Sequence, residues 1–453
     1  MRSSAVAVRP TRTAPPRRPR APGVDVDLFR HGMPVTPATV LALQRSAGNR
    51  AVQRLVQLRE PPRASRILSP ADREAFVVAE LPRTRDRRAG REVMRDMAAT
   101  SNILDFGSRS ELRDELVKRV TVITVMADAQ VSRGGLAPFG YPFTGASPYW
   151  GPRVGYAARD HWVPPTPDGY DRRLDAAKRA TVRGLPRSRR NTVFGDQGSS
   201  YQFRLSATGA RDPWSAIMLL FEAQPPHKRT LVHCDYLVSL VHFRAFMAVK
   251  GKTAFNAAIA AHGPDKVVLK YDLFTELEPS VGGRPGLGSI RQVVPSSEGD
   301  LVLGDHVYFF NHPGYDLINK NVGNAWRLEN AVLVARKGGA DVFLGHGSGR
   351  RTHAEMRGKL AEEYNDVARI VLALVRRTGR GSAASRTAAR TELGTRFPAV
   401  VQVAGAWRVV GTGMLGVAVD MPLRLLRASD VPGLFDPSNP GVLYRVRRAA
   451  ESA

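Results

Sequence analysis

Between Ser108 and Gln130 the apolar side chains Leu112, Leu116, Val120, Ile123 and Met126 fall three or four residues apart, the spacing of one helix face. Ser108-Arg109-Ser110-Glu111 has the form of a capping box, so the pattern predicts a helix opening there. Ser69-Pro70-Ala71-Asp72 reads as the cap and first turn of a helix through about Glu80. Another is predicted from Ala354 to Arg377, with Met356, Leu360, Val367, Ile370 and Leu374 facing inward. Leu237, Leu240, Val241 and Ala248 mark a buried helix whose first turn carries Cys234. Closer to the N-terminus, Thr36 and Pro37 open two short helices through Leu55, divided at Gly48-Asn49, and a basic helix is expected near Asp171 to Val182.

Alternation, the sign of a half-buried strand, predicts a strand at Tyr201–Leu205, and Lys266–Tyr271 reads as another. Val400–Val403 and Trp407–Val410 read as a hairpin around Gly405, in a region of short strands after a break at Gly381–Ser385, and Val442–Val446 as a last edge strand. From Gly134 to Tyr170 the chain is rich in glycine, proline and aromatics without periodicity. A loop that long is functional or disordered, and its aromatics from Phe139 to Trp150 suit a lid or substrate wall. The divisions that follow are a basic arm over 1–66 with short helices at 36–57, a helical scaffold and loop over 67–200, a core over 201–350, and a C-terminal helix with short strands over 351–453.

Composition changes this picture in three ways. The chain has 453 residues and an apolar content sufficient for a large core or two to three ordinary ones. Its net charge of +26 attracts polyanions, so nucleic acid or an anionic surface is a partner class suggested by charge alone. Its one cysteine excludes an intrachain disulfide and any zinc site built from several thiolates. The N-terminus lacks an apolar signal region, and Val409–Val419 is too short and too rich in glycine to span a bilayer.

The single cysteine is the natural nucleophile. At a helix N-terminus the unpaired backbone N–H groups and the helix dipole favour a thiolate, and the same N–H groups suit an oxyanion. The plainer alternative is a small buried hydrophobe. A metal site from His233, Cys234 and His242 has poor spacing. The glycine run Ser280–Gly288 lacks the Gly-Lys-Ser/Thr of a phosphate loop.

After Cys234 come Leu303-Gly304-Asp305-His306-Val307-Tyr308-Phe309, then Trp326-Arg327-Leu328-Glu329-Asn330-Ala331, then Val342-Phe343-Leu344-Gly345-His346-Gly347. In this order the motifs, spread from about Trp214 to Gly349, resemble the spore-coat-type bacterial protein-glutamine gamma-glutamyltransferases. That resemblance implies an α+β fold: a papain-like (NlpC/P60-like) cysteine transferase core with a helical N-terminal region and extra C-terminal elements. It implies Cys234 as nucleophile, Glu329 as general base and His346 as the second candidate, with His233, Asp235, Asp305, Asn330 and Trp326 in support. No cofactor and no metal are expected. The substrates would be proteins with accessible glutamine and lysine, the products isopeptide cross-links or deamidated glutamine. The family places a glutamate just before its nucleophile, and this chain has His233 there.

The phrase LQRSAGNRAVQRLV within residues 36–57 resembles a short segment of proteins associated with extracellular contractile injection systems. It implies a cargo, effector or toxin made in the producer's cytoplasm and exported inside a particle. Two other classes stay open: a papain-like cysteine hydrolase or peptidase, which the same Cys-then-His order would serve, and a non-enzymatic basic component of such a particle.

Overall fold

The structure is a computed structural model that describes residues 68–99, 106, 108–130, 136–138, 154–163, 203–224, 230–232, 234–264, 267–269, 292–296, 301–319, 326–436 and 439–448. The arm and the 36–57 segment, the basic helix near 171–182, the aromatic loop 139–150, the glycine run 280–288 and His233 lie outside the described residues. Arg66–Ala453 groups as one unit and Met1–Ser65 as another.

Three helices open the described chain. The first, α1 (Pro70–Glu80), starts where Ser69 Oγ accepts the Asp72 N–H at 3.2 Å, with proline at the first helical position. Next, α2 (Thr84–Ala99) was not anticipated, because arginine crowds its outer face and obscures the buried stripe of Val93, Met94 and Met97. The third, α3 (Arg109–Gln130), is capped by Ser108, whose Oγ accepts the Glu111 N–H at 3.1 Å. All five of its expected core residues are buried.

Leu136–Pro138 pairs in parallel with Thr230–Val232, the strand that runs into the helix α4 (Cys234–His262). Gly251 interrupts α4 with φ 71, a conformation that costs glycine little and other residues much. Phe203–Leu205 forms the middle of a small antiparallel sheet, between Trp162–Val163 and Val268–Leu269, so the described parts of both expected strands are extended and paired.

Among the described residues the large sheet has seven strands: β1 (Gln292–Ser296), β2 (His306–Phe310), β3 (Leu328–Lys337), β4 (Ala340–Gly345), β5 (Gly349–Thr352), β6 (Phe435–Asp436) and β7 (Asn439–Arg448). Their order is β5-β4-β3-β2-β7-β6, with β1 also against β7, and every pairing is antiparallel. The segment expected as a last edge strand is therefore interior. Its place follows from β2, which runs on into a short helix (Gly314–Asn319) and leaves its second edge to be paired by later chain.

After β5, Thr352 and Glu355 form a reciprocal capping box that opens α5 (His353–Thr378). Its buried stripe runs through Leu360, Tyr364, Val367, Val371 and Leu374. Ile370, expected inside, is 43% exposed on the flank of that stripe. α5 ends at Thr378 with Gly379 as its C-cap, and the break expected over Gly381–Ser385 is confined to the few residues before Ala383: Gly381 has φ 88, and Ser382 caps a further helix, α6 (Ala383–Arg396), where short strands were anticipated. The hairpin of Val400–Val403 with Ala406–Thr412 turns at Ala404-Gly405, and Ala418–Pro422 adds a third strand. Among the described residues no helix is long and apolar enough to cross a membrane.

What fixes α2 and α3 to the sheet is a buried ionic cluster at the turn before β2. Asp305 accepts the Val302 N–H at 2.9 Å and pairs with Arg119 of α3 at 2.9 Å, both side chains being fully buried. Arg119 also bonds Glu115 and the Leu303 carbonyl. Burial opposes its charge, but Glu115 and Asp305 outweigh that and hold its pKa above the ordinary arginine value. Asp96 of α2 accepts the Leu303 N–H at 2.7 Å and meets Arg336 of β3 at 3.1 Å. Replacing Arg119 leaves two carboxylates buried without their cation, so Arg119→Ala is expected to cost about 3–5 kcal/mol. A drop in the urea midpoint measures it, and a midpoint within error of the parent would refute the argument.

Candidate active site

Antiparallel pairing of β2 with β3 sets Phe309 opposite Glu329 and Tyr308 opposite Asn330. Successive residues on a strand face opposite ways, so Glu329 and Asn330 look to different sides of the sheet. Asn330 shares its side with His306, whose Nε2 lies 2.9 Å from Asn330 Oδ1. His242, in the third turn of α4, puts its ring 6.0 Å from that of His306, which marks this as the side α4 covers. Glu329 shares its side with Phe309, which packs against Phe343 at 4.9 Å and His353 at the start of α5 at 5.6 Å. The two adjacent residues of the Glu-Asn motif thus serve two separate clusters.

Glu329 is 3% exposed and sits against the tight turn between β4 and β5. Its Oε1 accepts from Ser348 Oγ at 3.0 Å and from the Ser348 N–H at 3.3 Å, and the Gly347 N–H bonds the same carboxyl group. Burial pushes its pKa up to about 7, against the downward pull of those hydrogen bonds. The neighbouring Glu363 of α5 adds to the rise by like charge. A carboxyl group at that value is half-ionised near neutrality and can both take and return a proton.

Glycine makes room for it. A Cβ at Gly345 would lie 2.2 Å from Glu329 Oε1 and 2.3 Å from Ser348 Oγ, so only glycine fits there. At Gly347 a Cβ would stand 3.4 Å from the Trp326 ring and 4.0 Å from Glu329 Oε2, so the indole edge and the carboxylate flank one small gap. Trp326 is held by its own backbone. Its carbonyl accepts from Asn311 Nδ2 at 3.0 Å, its N–H donates to Tyr315 Oη at 3.3 Å, and Asn311 Nδ2 also reaches the Leu360 carbonyl of α5 at 2.9 Å.

Among the residues singled out from sequence, Glu329 and Trp326 come together here, and His346 is buried in the same turn. Asn330 lies on the other side of the sheet, and Asp305 belongs to the ionic cluster before β2. Cys234 opens α4; its side chain and that of Asp235 lie outside the described residues. Ser348, Asn311 and His306 were missed. The signal for Ser348 was the serine one residue past Gly-His-Gly, and for Asn311 a polar residue closing an apolar strand. Among the described residues no group of three or more His, Cys, Asp or Glu could hold a metal ion.

No family model matches the chain, and no curated protein matches it. A solved structure, "Transglutaminase from Geobacillus stearothermophilus (without C-terminal extension)", aligns with 56% of this chain and 86% of its own at 18% identity and a TM-score of 0.34. A likeness that loose carries no activity or site over.

The raised pKa has a consequence for stability. Between about 4.5 and about 7 the folded state keeps a proton on Glu329 that the unfolded chain has lost. Its contribution is thus fully present below the lower value and disappears as pH rises through the upper one. Glu329→Gln should remove that decline, so the stability difference between variant and parent is expected to grow in the variant's favour from pH 5 to pH 8. Urea titrations at the two pH values measure it, and parallel pH profiles would contradict the burial of an ionisable carboxyl group.

Proposed function

We propose that the chain is a cysteine acyltransferase acting on protein glutamine, with Cys234 as nucleophile and Glu329 as general base. The observation that carries this reading is Glu329 itself, a buried carboxyl group with a pKa near 7, bounded by a tryptophan and fixed by three donors. A carboxylate is ordinarily too weak a base for this work, and burial removes that objection. Glu329 takes the Cys234 proton as sulfur attacks the carboxamide carbon. The first-turn N–H groups of α4 hold the oxyanion. The C–N bond then breaks, nitrogen leaves with the returned proton as ammonia, and a thioester remains. A lysine amine gives a proton to Glu329 as it attacks, the C–S bond breaks, and sulfur regains that proton. Water in place of the amine yields glutamate.

One observation favours a second reading. The His306–Asn330 pair on the α4 side of the sheet has the composition of a papain-like base and its orienting partner, which suits a cysteine hydrolase. The pair lies beside His242, however, eight residues and about 12 Å of helix axis beyond Cys234, so it borders the third turn of α4 and not its first.

Incubation with a glutamine-bearing protein and a labelled primary amine distinguishes the readings by mass spectrometry. Amine addition supports transfer, conversion of glutamine to glutamate supports its hydrolytic branch, and backbone cleavage alone overturns the proposal. Cys234→Ala should abolish the reaction with an unchanged unfolding midpoint. Glu329→Gln should lower kcat by about 10²–10⁴-fold. Residues 36–57 are proposed as an address for a contractile injection particle. A chain beginning at 58 should keep amine addition and lose particle loading; retention of loading would refute that address.

A further inference from the structure

Lys359 of α5 lies with its Nζ 5.3 Å from the centre of the Trp326 ring, on its face. The same ammonium meets Glu363 at 2.7 Å and Glu362 at 3.3 Å. Exposure falls steadily along this row. The Glu362 side chain is 61% exposed, Lys359 22% and Glu363 18%, and the indole then leads to the gap at Gly347 with the buried Glu329 carboxylate on its far side. An aromatic face and two carboxylates that share one ammonium are the elements that bind an alkylammonium, since the ring quadrupole attracts the cation and the acids pair with it.

An acceptor lysine has to arrive as an ammonium, because its pKa is near 10.4 and roughly one amine in a thousand is neutral at pH 7. It must then lose a proton beside the base. A row that draws a cation in from Glu362, over Trp326, to Glu329 supplies both needs. We propose that the Trp326 face with Glu362 and Glu363 is the recognition site for the acceptor's ammonium group, and that Lys359 occupies it until the substrate displaces it. This rests on the acyl-transfer reading. Lys359 is a placeholder of the substrate's own chemistry, and removing its charge opens the site. Glu363 contributes twice, by pairing with the ammonium and by strengthening the hold of Glu329 on a proton through like charge.

The test uses the full chain, a glutamine-bearing protein and two probes at subsaturating concentration: butylamine, a cation at neutral pH, and trifluoroethylamine, which is largely uncharged there. The readout is amine incorporated per ammonia released. Lys359→Met should raise that ratio for butylamine about threefold, the size of one partly exposed cation–π contact, and leave trifluoroethylamine unmoved. Glu362→Gln, which removes a partner of the ammonium without touching Glu329, should lower it for butylamine alone. Lys359→Arg, which keeps a cation on the indole, should match the parent, and unfolding midpoints check that all three variants fold. Equal responses of the two amines, or none from either, in a parent that releases ammonia would overturn the subsite while leaving acyl transfer standing. A parent that releases no ammonia and incorporates neither amine removes the acyl-transfer reading and the subsite with it.

Discussion

The ion pair between Arg119 and Asp305 is the constraint on which the sheet's position depends. Asp305 is the last residue before β2, and its second oxygen closes the turn by accepting the Val302 N–H. Because both charges are fully buried, neither can move without leaving the other uncompensated. The turn is thereby tied to α3, and through Asp96 to α2 and Arg336 of β3. Gly304 belongs to the same device. It has φ 92, and a Cβ there would come within 3.1 Å of the Arg119 backbone, so α3 approaches the turn as closely as it does because no side chain intervenes. The register of β2 against β3 starts from that anchored point, and with it the pairing of Phe309 with Glu329.

From the register follows the division of chemistry across the sheet. A strand shifted by one residue would exchange the two sides, putting Asn330 against the Ser348 turn and Glu329 among the imidazoles under α4. Only the observed register gives a carboxyl group the Ser348 and Gly347 donors, while the amide meets His306. A buried carboxyl group without such donors would stay protonated near neutrality and could not serve as a base. With them, and with Glu363 acting the other way, its pKa comes to rest where proton uptake and return are balanced.

Much of this architecture was legible in the sequence where a local rule applied. Caps at Ser69 and Ser108 and the apolar stripe of α3 have one physical meaning each, and the structure has them as read. Failures occurred where tertiary context decides. Arg-rich α2 reads as polar throughout because its buried face is narrow, and the strand at Val442–Val446 could not be assigned to the interior by any pattern within itself. Glu329 was recognisable as a candidate from its motif, but its elevated pKa arises from burial and from residues 19 and 34 positions downstream, Ser348 and Glu363. Nor could spacing reveal that Glu329 and Asn330, adjacent in sequence, act on opposite sides of the sheet. Alternation implies it only once the strand is known.

In the proposed acyl transfer, the arrangement around Trp326 bears on how a thioester would prefer an amine to water. Water is abundant and needs no recognition, so preference for lysine requires local enrichment of the amine as well as a base to activate it. An indole face excludes water from one side of the gap at Gly347 yet still attracts a cation, and an aliphatic wall would do only the first. On that proposal Asn311 has a functional reason for its burial. By bonding the carbonyls of Trp326 and Leu360 with one amide, it keeps the indole in register with α5, where Lys359, Glu362 and Glu363 reside. Enrichment of the cation and its deprotonation are thereby assigned to different groups a short distance apart. That separation is needed, because a single carboxylate that bound the ammonium too firmly would lower its acidity and slow the proton transfer it was meant to assist.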